Sequence, residues 1–176
     1  MEIMKSTRHQ KIIGNFGEAL LCNWLSRSGF EVTVVDHTGI DVLAYNSQTG
    51  KRLGISVKSR TRVKGTETTS VNILSYQKGK NDRQKVLDAC KAFAAEPWIA
   101  IYVESSNCAD LFLLSLKHYD HEYRANQKRA IDDWKMVQKY RKRYEADPRV
   151  RHIRMDFSGS SWQWSQKKQP LKRRCT

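Results

Sequence analysis

The sequence predicts a mixed α/β fold built as a single domain. Apolar side chains recur at the three- and four-residue spacing of helices in three segments, and short apolar or β-branched runs between turn residues predict strands. The chain has 176 residues, of which 39% are hydrophobic, and this length suits one domain with one core. The predicted order of elements is helix, three strands, helix, two strands, helix and a short edge strand.

The first part of the chain predicts a helix packed on an antiparallel meander. The apolar spacing indicates a helix over 11–28, and Gly29 ends it. Tight turns rich in Gly and Asn join the strands that follow, so these strands should pair antiparallel. They are predicted over residues 31–36, 40–45 and 53–58.

The second part alternates helices with more apolar strands. Asn81 is the expected N-cap of a second helix, and Pro97 lies beyond its end. A basic segment over 60–69 is expected to form a mobile loop. The two strands after the second helix are apolar almost throughout, as in strands buried on both faces. The remaining elements are predicted as a helix over 81–95, strands over 98–103 and 111–116, a helix over 125–145 and an edge strand over 151–157.

The net charge predicts a polyanionic partner. Lys and Arg number 32 against 18 Asp and Glu, which gives a formal charge of +14. Nucleic acid and an acidic membrane surface are the two candidates. Residues 1–157 are expected to form the domain, and residues 158–176 a flexible basic tail suited to phosphate contacts.

Membrane, secreted and zinc-finger proteins are not indicated. No run approaches the roughly 20 apolar residues that a membrane span needs, and the start of the chain lacks the pattern of a secretory signal. A cytoplasmic protein is therefore expected. The four cysteines include no C-x-x-C pair, which argues against a zinc finger.

Three charged residues stand at positions where a simple core would not need them. Glu18 falls at the edge of the apolar stripe of the first helix. Asp41 interrupts an apolar strand, where an acid needs water or a cationic partner. Lys58 ends the third strand, and strand alternation places Ser56 on the same face. Two interpretations stay open: a structural ion pair of the two acids with Lys58, or a site that binds a cation and a phosphate.

The segments Gly14–Glu18, Gly39–Ala44 and Ile55–Lys58 together resemble the core of the PD-(D/E)xK nuclease superfamily. They look most like the archaeal Holliday-junction-resolvase type and its uncharacterised bacterial relatives. The resemblance implies a restriction-endonuclease-like core, in which a mixed central sheet (an antiparallel meander plus further strands) is flanked by helices. It also implies a DNA endonuclease that needs Mg²⁺ or Mn²⁺, acts on branched or duplex DNA, and forms a homodimer.

By the same resemblance, the catalytic set would be Glu18, Asp41, Ser56 and Lys58. Asp41 would be the central metal ligand and Glu18 an outer one, with the main-chain carbonyl of Val57 completing the set. Lys58 would orient the attacking water. Such a site suits Mg²⁺, which prefers oxygen ligands and keeps several waters, and a divalent cation stabilises the charge that builds on the phosphate during hydrolysis.

Ser56 departs from the family pattern, which has Glu, Asp or Gln at this position. A neutral hydroxyl is a poor ligand of Mg²⁺. Three outcomes are open. Ser56 coordinates through a water, another acid (Asp36 or Glu104) takes its place, or the protein is a catalytically inactive module that still binds nucleic acid.

Two basic segments are expected to contact the nucleic acid. The loop directly after the third strand contains Arg60, Arg62 and Lys64. The helix predicted over 125–145 carries a second set between its apolar positions. This set is Lys135, Lys139, Arg141, Lys142 and Arg143.

Overall fold

The chain folds into two β-sheets and four helices over the residues that the structure describes. In this computed structural model those residues are 5–76, 81–124, 131–159 and 161–162, without the side chains of Asp36 and His37. No helix in this part of the chain is long and apolar enough to span a membrane. In chain order the elements are α1 (His9–Arg27), β1 (Glu31–His37), β2 (Ile40–Asn46), β3 (Lys51–Thr61), β4 (Val71–Ser75), α2 (Asp82–Ala92), β5 (Glu96–Glu104), β6 (Cys108–Ser115), α3 (Leu116–Glu122), β7 (Ile131–Trp134), α4 (Gln138–Ala146) and β8 (Arg151–Asp156).

The main sheet is mixed, as predicted. Its strands lie in the order β1-β2-β3-β5-β6-β8. Neighbouring strands pair antiparallel except β3 and β5, which pair in parallel. The first three strands form the predicted meander, and β8 is the predicted edge strand. A separate two-stranded ribbon, made of β4 and β7, lies outside this sheet and is called the ribbon below.

Buried apolar clusters cover both faces of the main sheet. On one face, α1 packs Leu21 and Leu25 against the meander. On the other face, side chains from α2, α3, α4 and the ribbon form a larger core, in which Trp134 is fully buried. Side chains alternate between faces along a strand, and Ser56 and Lys58 belong to the face that α2 covers.

The helix predicted over 125–145 is confirmed only from Gln138 onward, and the described residues before it are not helical. Residues 131–134 form β7, paired with β4, and α4 begins at Gln138. The apolar spacing that predicts one helix arises from two elements that pack on the same core. Trp134 of β7 stacks on Tyr144 of α4, with ring centroids 3.7 Å apart. Strand pairing wins here because β4, which the sequence pattern does not predict, gives β7 a hydrogen-bonding partner.

The segment predicted as a mobile loop over 60–69 is shorter and better held than expected. The strand β3 continues to Thr61. The guanidinium of Arg62 donates hydrogen bonds to the carbonyls of Thr69 and Ser70, at 2.9 and 2.7 Å. Arg62 therefore closes the loop onto itself just before β4.

The start of α2 is fixed by polar contacts. Asn81 caps the helix as predicted, since its side chain accepts the N–H of Gln84 at 3.0 Å. In the first turn of the helix, Arg83 forms ion pairs with Asp120 and with Asp132. Because the side chain of Asp132 is only 1% exposed, this pairing anchors the first turn of α2 to the ribbon.

Gly39 lets the turn between β1 and β2 touch α2. Its φ is +109°, and a Cβ at this position would overlap the carbonyl of Lys85 and lie 2.9 Å from the nitrogen of Val86. The turn and the helix can pack this closely only when residue 39 has no side chain.

Gly39→Ala is expected to lower the free energy of unfolding by about 3 kcal/mol, because it adds both backbone strain and overlap with a helix main chain. Gly50→Ala is the matched control, since Gly50 also has a positive φ of +68° but no atom within 4 Å of a built Cβ. It should cost about 1 kcal/mol. Urea denaturation followed by circular dichroism measures both losses. Equal losses would show that close contact between the turn and α2 is not required.

Candidate active site

Asp41 bridges a gap between β2 and β3. The pairing of the two strands ends at Val42↔Ile55. Beyond it, Oδ2 of Asp41 accepts the N–H of Val57 at 2.6 Å and the hydroxyl of Ser56 at 3.4 Å. A side-chain carboxylate thus replaces a main-chain partner. Because the N–H and C=O of one strand residue point to the same side, the Val57 carbonyl also faces this gap.

A cavity of about 190 Å³ lies between the gap and the first turn of α2. Asp41, Ser56 and Lys58 all line it, so the structure brings together three residues of the predicted catalytic set. We name it the inner cavity. Its other lining residues come from the β1–β2 turn, the ribbon and α2, and they are Thr38, Gly39, Leu74, Asp82, Lys85 and Val86.

Lys58 is half-buried, and it has no hydrogen bond or ion pair with any residue that the structure describes. The structural ion pair that the sequence left open, between Lys58 and Asp41 or Glu18, is therefore not formed in this part of the chain. An ammonium group held in a cavity without a carboxylate partner is available to an anionic ligand.

A second, larger cavity of about 540 Å³ adjoins the first, and we name it the outer groove. Lys58 and Asp82 line both spaces. The helix α1, the strand β3 and the ribbon form the other walls, with polar side chains from Gln10, Ser59, Arg60, Asn72 and Ser75. A space of this size can take a ligand as large as a nucleotide.

Glu18 lies one helical turn beyond Gly14, a residue that lines the outer groove. Glu18 is half-buried, but it is not among the described residues that line either space. Beside it, Gly17 lets α1 approach the sheet, because a Cβ there would overlap the hydroxyl of Ser59 and lie 3.3 Å from the Cβ of Tyr102. The role of Glu18 as an outer metal ligand stays a prediction.

Two acids are candidate replacements for the one missing at Ser56, and Glu104, whose side chain the structure describes, does not line the inner cavity. Glu104 lies opposite Thr61, three positions beyond Lys58 along β3. Its carboxylate already accepts hydrogen bonds from Thr61 at 2.8 Å and from Tyr102 at 3.0 Å. The side chain of Asp36 lies outside the described residues.

The acid that does line the inner cavity beside Asp41 is Asp82, the first residue of α2. Its Oδ2 accepts the N–H of Ser75 at 3.1 Å, and its Oδ1 lies 3.7 Å from the Nζ of Lys85. The sequence does not single out Asp82, because an acid in the first turn of a helix is common. Only the packing of α2 on the sheet brings it to Asp41.

The oxygen atoms around the inner cavity suit Mg²⁺ or Mn²⁺ better than Zn²⁺. They are carboxylate, hydroxyl and main-chain carbonyl oxygens, whereas zinc sites rely mainly on Cys and His. Across the described ranges, no group of three or more His, Cys, Asp or Glu side chains is placed to hold a metal ion. The donor set therefore fits an ion that keeps much of its water shell, as Mg²⁺ does.

The first predicted set of nucleic-acid contacts divides into exposed and engaged side chains. Arg60 is exposed and lines the outer groove, and Lys64 is exposed in the loop that follows. Arg62 instead holds that loop together. Burial lowers the pKa of Arg62, and the charge of Arg60 lowers it further.

The second predicted set does not form one helical face, because α4 begins at Gln138 and Lys135 lies before it. Lys135 precedes α4 and lies over the ring of Tyr140, 4.7 Å from its centroid. Two members of the set form ion pairs, Arg141 with Asp110 and Arg143 with Glu122. Lys139, Lys142 and Arg143 are exposed, and of these three only Arg143 forms an ion pair with a described residue. This set therefore contributes two exposed lysines on α4, and its part in DNA binding stays a prediction.

The structure is similar to that of Hjc, a Holliday junction resolvase from the archaeal hyperthermophile Archaeoglobus fulgidus. The two align with a TM-score of 0.49 and 17% sequence identity, over 69% of this chain and 83% of the resolvase chain. This is a likeness of fold. No protein-family model matches the sequence, and no curated protein matches it significantly. What the site does must therefore be inferred from its own side chains.

Lys58→Met is expected to leave the free energy of unfolding within about 0.5 kcal/mol of the wild-type value, or to raise it. The reason is that the ammonium group has no hydrogen bond or ion pair with a described residue that the substitution would remove. Asp41→Ala is the contrasting variant. It leaves the Val57 N–H without its acceptor and should cost about 1–3 kcal/mol. Chemical denaturation in EDTA measures both. A large loss of stability in Lys58→Met would give Lys58 a structural role.

Proposed function

We propose that the protein is a metal-dependent DNA endonuclease of the PD-(D/E)xK type, which hydrolyses phosphodiester bonds. The observation that carries the proposal is that Lys58 lines the inner cavity with Asp41 and has no partner among the described residues. A fold gains nothing from a half-buried ammonium group without a partner, because removing a charge from water costs free energy. A phosphate group would supply the partner that the described residues do not.

We assign a role to each residue of the set, and the positions of Asp41, Ser56 and Lys58 around the inner cavity support theirs. Asp41 would hold Mg²⁺ or Mn²⁺ through the oxygen that does not accept the N–H of Val57, together with the Val57 carbonyl. Glu18 would be an outer ligand, and Ser56 would coordinate through a water. When bound, the ion stabilises the charge that develops on the phosphate and lowers the pKa of bound water. The ammonium group of Lys58 donates to the attacking water or to a phosphate oxygen and so orients it.

The outer groove and the net charge support a nucleic-acid substrate. Arg60 places a second cation beside Lys58 in the groove, and the chain as a whole carries +14. Positive charge that neutralises phosphates releases counterions and so favours binding. We propose DNA, branched or duplex, as the substrate, and a cytoplasmic homodimer that presents two such sites to two strands.

We expect the purified protein to cut DNA in Mg²⁺ or Mn²⁺ and not in EDTA. End-labelled linear duplex, single-stranded and four-way-junction DNA, resolved on denaturing gels, would show which substrate it prefers. Lys58→Ala should lower the cleavage rate by about 100-fold or more, because it removes a donor aimed at the developing charge.

Lys117→Ala is the matched control for this experiment, since Lys117 is an exposed lysine on α3, away from both cavities. It should cut at the wild-type rate. Cutting that survives in Lys58→Ala would come from another site or from a contaminating nuclease, and it would contradict the proposal.

A second function is favoured by Ser56: a catalytically inactive module that binds nucleic acid. Ser56 is 3% exposed, and its hydroxyl donates to Asp41. It therefore adds no negative charge where the resemblance implies an acid, and a site with one carboxylate fewer binds a divalent cation more weakly.

Ser56→Glu separates the two functions. We expect the wild-type protein to cut DNA already, because Lys58 and Asp41 are in place. Fluorescence anisotropy at two salt concentrations would measure DNA binding alongside the cleavage assay. Binding without cutting in the wild type, followed by Mg²⁺-dependent cutting that appears only in Ser56→Glu, would establish the inactive module instead.

A further inference from the structure

Asp82 is a carboxylate of the inner cavity to which the predicted catalytic set assigns no role. It comes from α2, whereas Asp41 and Ser56 come from neighbouring strands of the sheet, so two walls of the cavity carry acids. Asp82 also lines the outer groove, together with Lys58. It therefore stands where the two spaces meet.

We propose that Asp82 takes the place of the acid missing at Ser56, so that a divalent cation binds between Asp41 and Asp82. The inference rests on the proposed metal-dependent function and deepens it. The second carboxylate ligand would then come from α2, and not from β3, the strand that carries Ser56 and Lys58.

The charges and the size of the inner cavity support this assignment. Among the described residues, two carboxylates (Asp41 and Asp82) and two ammonium groups (Lys58 and Lys85) line it, and the formal charges of these four cancel. A divalent cation bound by the carboxylates would leave the cavity positive and so attract a phosphate. Its volume of about 190 Å³ is also large enough for an ion together with several of its waters.

The carboxylate of Asp82 is held in position by the protein itself. Its Oδ2 accepts the N–H of Ser75 at 3.1 Å. The adjacent Arg83 is anchored by its ion pairs, and Gly39 seats the β1–β2 turn against the same helix. A ligand fixed in this way loses little conformational freedom when an ion binds.

A purely structural role for Asp82 makes a different prediction. An aspartate at the start of a helix interacts favourably with the helix dipole, and that role does not depend on the residue at position 56. If Asp82 binds the metal, positions 82 and 56 become exchangeable. An acid introduced at Ser56 should then restore the metal binding that is lost when Asp82 is neutralised.

Isothermal titration of the full chain with Mn²⁺, in the absence of DNA, tests this exchange. Asp82→Asn keeps an acceptor for the Ser75 N–H and is expected to lower Mn²⁺ affinity at least tenfold. Combining it with Ser56→Glu should recover most of that loss. Asp88→Asn, in an exposed acid on the same helix, is the matched control and should bind Mn²⁺ as the wild type does. Denaturation in EDTA checks that each variant is folded, and Asp82→Ser replaces Asp82→Asn if the latter does not fold.

Each outcome separates this inference from the proposed function. Unchanged affinity in Asp82→Asn, with a loss in Asp41→Asn, overturns the role of Asp82 and leaves the metal-dependent function standing. A loss in Asp82→Asn that Ser56→Glu does not recover assigns Asp82 to the structure of α2 and also overturns the inference. Absence of Mn²⁺ binding by the wild-type chain overturns both.

Discussion

The candidate site depends on the hydrogen bond from the Val57 N–H to the carboxylate of Asp41, 2.6 Å long. It forms where β2 and β3 separate, and it gives β3 a partner that β2 no longer supplies. One carboxylate oxygen completes the sheet while the other is left for the cavity. The strand can therefore continue to Lys58 with its edge satisfied on one side by a side chain and on the other by β5. A site can open here without leaving a buried N–H unpaired.

Elements defined by neighbouring residues could be predicted from the sequence. The helix α1 and the meander follow from local spacing and tight turns, and Asn81 caps α2 as its residue type indicates. The ribbon could not be predicted in this way, because β4 and β7 are distant in the chain and each is short. Trp134 is an example. Its spacing from Tyr140 and Tyr144 fits a helix, but Trp134 lies in β7 and is buried because β7 packs beside α4.

The same division applies to the site. Asp41 stands out because it interrupts an apolar strand, and Lys58 because it follows apolar residues in the next one. These two strands are neighbours in the sheet, and both side chains line the inner cavity. Asp82 has no such local signal, since its neighbourhood in the sequence is that of any helix start. The ion pair of Arg141 could not be predicted either, because its partner Asp110 lies in β6. Packing between elements determines which charged side chains remain available to a ligand. That packing cannot be predicted from any single segment of the sequence.

The parallel pairing of β3 with β5 also determines when the site comes into existence. The turns of the meander close over a few residues, whereas β3 and β5 are joined through a long connection that contains β4 and α2. Closing a longer loop costs more entropy, and such non-local pairs are the slower ones to form. A chain in which only the meander has formed already carries Asp41 and Lys58 on neighbouring strands, but it lacks the wall that α2 supplies. If the site cleaves DNA, a nascent or partly unfolded copy of the protein does not cut DNA, because the complete site forms only when folding is complete.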